Sequence, residues 1–76
     1  MTTEAHNHYY KDVEHLKLID VYRVLSLYEV TDPCIAHAIK KLLVAGGRGV
    51  KDRSQDVVEA IDSCQRYLQM AREDEK

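Results

Sequence analysis

The sequence predicts a small all-α domain built from three helices, and three observations predict it. Apolar residues recur at helical spacing in three separate stretches. Two polar breaks divide those stretches: Thr31-Asp32-Pro33, and the glycine-bearing run from Gly46 to about Arg53. The chain has 76 residues, no internal repeat and no linker-like segment, which bounds it to one domain.

Residues 1–11 are polar and unpatterned and are expected to form a flexible N-terminal arm. The helical domain is expected over 12–71, with 72–76 as a charged tail. From Asp12, Val13, Leu16, Ile19, Tyr22 and Leu25 recur every three residues, and Leu18, Val21, Leu25 and Tyr28 mark an adjoining stripe. So wide an apolar face on a short helix suggests contact on two sides, one with its own chain and one with another subunit. Asp32 suits an N-cap, and Pro33 suits the first helical position, where a missing N–H is harmless.

Helix two then reads Ile35, Ala38, Ile39, Leu42, Leu43 and is expected to end at Gly46 through a left-handed turn. Helix three is expected to start near Ser54, capped by that residue, with Asp56 in the first turn and a buried face of Val57, Val58, Ile61, Cys64 and Leu68. Helices two and three make an antiparallel hairpin. Pairing across it sets Leu42 near Val57, Ala38 near Ile61, and Ile35 or Cys34 near Cys64.

A chain this short hides only about 60% of its unfolded surface. Some addition is therefore needed to stabilise it, and a homo-oligomer is the expected one. No stretch has the roughly 20 apolar residues of a membrane span. Met1 to His8 lacks an apolar signal region, so the cytoplasm is the expected compartment and Cys34 and Cys64 are expected as thiols, with packing their main role. There is no Trp or Phe, and five Tyr are the only aromatics.

The net charge of −2 argues against a general DNA-binding role. Its distribution says more. Residues 1–32 carry −3, residues 33–53 carry +4, and residues 54–76 carry −3. Gly46, Gly47 and Gly49 lie within the basic segment, among Lys40, Lys41, Arg48, Lys51 and Arg53, with His37 one turn earlier. Glycines let backbone N–H groups approach a ligand, a helix N-terminus presents free N–H groups, and Arg and Lys grip phosphate. These residues suit a nucleotide or another phosphorylated anion. They would serve equally as a helix cap, a turn and a solvated charge run. The spacing is not that of a P-loop.

His6 and His8 are two apart but lack accompanying acid or cysteine ligands, so no metal site is expected. Asp56, Glu59 and Asp62 are expected on the outer side of helix three, where they would be solvated or would hold a magnesium–phosphate complex. No nucleophile–base pair is visible, and no catalytic residue is assigned.

The order of short motifs resembles a known family. It consists of His8-Tyr9 with Lys11, Ile19-Asp20-Val21, Ala38-Ile39-Lys40 running into Ala45-Gly46, Lys51, and Asp56 with Ala60 and Tyr67-Leu68. It is similar to a small phage-encoded domain of uncharacterised function with the pattern HYK…ID…NAxKYxxRAGxK…DxxKAxxYL. The resemblance runs from about His8 to Leu68, and some members of that family are classed as nucleotide kinases. It implies a phage protein in the cytoplasm of an infected bacterium, with His8, Tyr9, Lys40, Lys51 and the Gly46 turn at the family's motif positions. A magnesium ion would accompany a bound nucleotide.

The chain departs from the pattern at His37, Lys41 and Val44, where Asn, Tyr and Arg are usual. These departures weaken a catalytic expectation more than a binding one. The expected ligand-binding set is therefore His8, Tyr9, Lys11, His37, Lys40, Lys41, Arg48, Lys51 and Arg53, for metabolism of a nucleotide or sequestration of a host nucleotide signal. The alternative is a host-takeover protein that inhibits a bacterial protein by direct binding.

Overall fold

Asp20, Asp32 and Asp52 each begin a helix by the same device. Their carboxylates accept the backbone N–H three residues on, from Arg23 (2.9 Å), Ile35 (3.0 Å) and Gln55 (2.8 Å). The computed structural model describes residues 8–47 and 52–75. Among them are three helices and no strand: α1 (Val21–Leu27), α2 (Pro33–Leu43) and α3 (Arg53–Asp74). The protein is all-α, and no described helix is long and apolar enough to cross a membrane.

Helix α1 is shorter than its apolar spacing predicts. The expected start at Asp12 is replaced by an irregular segment, in which the Asp12 carboxylate accepts the Glu14 N–H at 2.9 Å and the Leu16 N–H reaches the Val13 carbonyl at 2.9 Å. An aspartate that closes a local turn competes with helix formation. Asp20 then makes the cap that Asp12 does not. The far end of α1 closes as a Schellman motif: the Val30 N–H bonds to the Leu25 carbonyl (2.9 Å) and the Glu29 N–H to the Ser26 carbonyl (3.1 Å). Glu29 occupies the left-handed position, with φ 56°, that usually selects glycine.

Helix α2 begins with Asp32 and Pro33 as expected and runs into a turn in which Gly46 has φ 76°. Helix α3 is capped by Asp52, two residues before the expected Ser54. Asp52 precedes the helix with extended backbone, whereas Ser54 already lies inside it.

Helices α2 and α3 pack as the antiparallel hairpin, and α1 lies against α2 without reaching α3. The heights of the pairing follow expectation, but the rotation of α3 does not. Asp56 and Ala60 are its buried residues, whereas Val57, Val58, Ile61, Cys64 and Leu68 are exposed. The face turned to α2 carries Asp56, Glu59, Ala60 and Ser63. Two of these carboxylates meet Lys41, and Ser63 meets His37. Polar groups that find partners across the hairpin draw that face inward, and Ala38 and Ala60 permit close approach. Among the described residues only Leu25, Ala38 and Ala60 are buried apolar side chains.

Candidate functional site at the loop end of the hairpin

The loop end of the hairpin is organised around Asp56, whose side chain has no exposed surface. It stands in the first turn of α3, where the helix dipole favours a carboxylate. Its Oδ2 accepts the Gly46 N–H at 2.9 Å, and its Oδ1 lies 4.0 Å from Lys41 Nζ. Glu59, one turn on, takes Lys41 Nζ at 2.6 Å. The expected outward position of Asp56 and Glu59 is thus corrected: Asp56 is interior and Glu59 half-buried, and of the three acids only Asp62 is exposed.

Lys41 is corrected with them. It is buried at 8% exposure between two carboxylates, so its ammonium serves the interior and not an outer ligand. The Gly46 N–H, expected to face an anion, is held by an anion the protein supplies itself.

Two cations remain at this end among the described residues. Lys40 projects from α2 toward α1, its Nζ 3.3 Å from the Tyr22 hydroxyl and 4.8 Å from the ring centroid. Tyr22 is 66% exposed, so the ammonium and an accessible aromatic side chain stand together. Arg53 opens α3 with its side chain along Gly46: a Cβ added to that glycine would lie 3.2 Å from the Arg53 Cβ. Arg48 and Lys51 lie outside the described residues, as does His6.

His37 lies on the face of α2 that meets α3, and its Nδ1 is 2.6 Å from Ser63 Oγ. This juxtaposition of a nucleophile type and a base type joins positions far apart in the chain, which is why the sequence does not display it. It does not make a catalytic dyad. Ser63 is in the interior of α3, where neighbouring N–H groups are committed to the helix and none is free to form an oxyanion hole. The bond ties α2 to α3. Among the described residues no group of His, Cys, Asp and Glu is arranged to hold a metal.

The arm residues gather elsewhere. The His8 and Tyr9 rings lie 4.1 Å apart, the Tyr28 hydroxyl donates to the Tyr9 carbonyl at 2.9 Å, and Lys11 Nζ lies 5.3 Å from the Tyr28 centroid. Two tyrosines of the α1 region therefore organise the expected site residues, Tyr22 for Lys40 and Tyr28 for the arm. Their apolar spacing hid that role. Two shallow depressions lie apart from the loop end, one between Asp32-Pro33 and the last turns of α3, the other beside Leu18, Ile19, Asp20 and Arg23.

Comparison with protein-family models, curated proteins and solved structures yields no match to this chain.

Proposed function

We propose that the protein binds a phosphorylated, nucleotide-like ligand at the outer side of the loop end. The observation that carries this reading is the pairing of Lys40 with the exposed Tyr22 side chain, a point charge for phosphate beside a flat surface for a base. The basic character of residues 33–53 supports it: the interior carboxylates take up Lys41, and among the described residues Lys40 and Arg53 remain as cations at this end. The resemblance of the short motifs to a phage family's pattern is in keeping with it. Such a function requires no catalytic group: a protein that holds a nucleotide tightly removes it from use.

Thermal-shift titration with mono-, di- and cyclic nucleotides at low salt tests the reading. A ligand present at a hundred times its Kd stabilises the fold by about 2.7 kcal/mol. We expect stabilisation by at least one nucleotide class, and its loss in Lys40→Ala and Tyr22→Ala. No shift with any nucleotide, or a shift that both variants retain, sinks the proposal.

A second reading, inhibition of a bacterial protein by direct binding, is favoured by the exposed apolar residues of α2 and α3. It predicts one stoichiometric partner from a bacterial extract, retained by Lys40→Ala and lost on substitution of Ile61.

A further inference from the structure

The α2–α3 hairpin has two unlike broad sides. Successive residues of a helix are rotated by about 100°. On α3 the line of contact with α2 runs through Asp56, Ala60 and Ser63, and Val57, Ile61, Cys64 and Leu68 form a stripe beside it. On α2 the line of contact runs through Ala38 and Lys41, with Ile35, Ile39 and Leu42 beside it. Because the helices run antiparallel, both stripes open on the same side of the hairpin.

That side is apolar and uncovered: Ile35 is 41% exposed, Leu42 53%, Ile61 49% and Leu68 52%. Glu59, Asp62 and Arg66 fall outside the α3 stripe. Helix α1 meets the hairpin through α2, where Tyr22 reaches Lys40, and makes no contact with α3.

We propose that a second copy of this chain covers this side, hairpin against hairpin about a two-fold axis, to make a four-helix core. The dimensions call for a second layer. The protein measures 41 × 39 × 18 Å, and domains are stabilised by at least two packed layers around a shared core. The area fits a pair. The chain exposes 6351 Å², whereas a folded monomer of its mass exposes about 4,800 Å². That excess, taken over the whole chain, is more than the roughly 800 Å² that one partner buries in a standard interface.

The charges choose the occupant and its direction. By sequence the loop end carries five bases (Lys40, Lys41, Arg48, Lys51, Arg53) against three acids (Asp52, Asp56, Glu59), a net +2, while the other end carries four acids (Asp32, Glu73, Asp74, Glu75) against Arg72 and Lys76, a net −2. A two-fold axis near the middle of the hairpin sets each basic end against the partner's acidic end, twice over. A parallel arrangement would set like charge against like at both ends. The inference stands apart from the ligand proposed above, which concerns the outer side near Tyr22.

The test is the mass of the full chain in solution by sedimentation equilibrium, with Ile61→Glu on the apolar side and Asp62→Ala off it. We expect twice the chain mass of 8.8 kDa for the wild type and for Asp62→Ala, and the single-chain mass for Ile61→Glu. Should Ile61→Glu fail to fold, Ile61→Ala and Leu68→Ala are read by dilution, with the dimer Kd raised about tenfold or more in each. A folded wild-type monomer at high concentration overturns the proposal. So does an assembly that keeps its mass and Kd in all three apolar-side variants, or one held by a foreign protein on this side in place of a second copy.

Discussion

Asp56 holds together three parts of the chain: the turn through Gly46, the end of α2 through Lys41, and its own helix. Removal of one partner from a buried ionic set leaves the others desolvated and uncompensated. Asp56→Ala should therefore lower stability by about 3 kcal/mol, which for a domain of this size means roughly 12–24 °C in Tm. Asp56→Asn keeps an acceptor for the Gly46 N–H and should lose less. Thermal melts at one fixed protein concentration check both, and a loss below about 1 kcal/mol for Asp56→Ala contradicts the assignment.

Glu29 tests the opposite sign. Its left-handed backbone is strained for a residue with a Cβ, so Glu29→Gly should raise stability by about 0.5–1 kcal/mol in urea unfolding, although it removes a side chain. Gly46 has the same backbone sign, and Gly46→Ala should lower stability by about 1 kcal/mol, with Arg53 forced aside.

Helix boundaries are decided by caps, and the caps give a direct comparison. Asp52→Ala should cost about 1 kcal/mol of stability, while Ser54→Ala should stay within about 0.5 kcal/mol. Far-UV circular dichroism in urea separates the two, and the reverse order would restore Ser54 as the cap. Three helices, the Asp32-Pro33 start and the hairpin pairing were legible in the sequence, because capping chemistry and apolar period are local properties.

The start of α1 was not legible, because Asp12 and Asp20 are both competent caps and the apolar spacing runs through both. The rotation of α3 was hidden for a related reason. Apolar period says which residues share a stripe, not what that stripe meets, and here the face toward α2 was drawn in by Lys41 and His37. Of the expected ligand residues, Lys40 lies half-buried against Tyr22 of α1, a contact the helical spacing does not display. Lys41 was not distinguishable from Lys40, since their difference is a rotation toward Glu59.

For the molecule as a whole the unusual property is spread. Its radius of gyration is 15.3 Å, against about 11 Å for a compact domain of this length. A chain whose described interior holds one leucine and two alanines as its apolar core has little to stabilise it alone. If copies complete one another, unfolding is linked to dissociation, and each tenfold rise in protein concentration should add about 1.4 kcal/mol of apparent stability. A series of melts over two decades of concentration reads this directly, and a Tm that does not move would contradict it.

The buried ammonium between Asp56 and Glu59 has one more consequence. Apolar helix faces slide past one another at little cost, because one methyl replaces another. Displacement of α2 along α3 by a single turn, about 5.4 Å, would carry Lys41 off its carboxylates and leave two like charges facing each other without it. The ion set therefore acts as a key that admits one alignment of the two helices. It also keeps every residue of the exposed apolar side at a fixed height, so that whatever docks there meets a rigid surface on so small a protein.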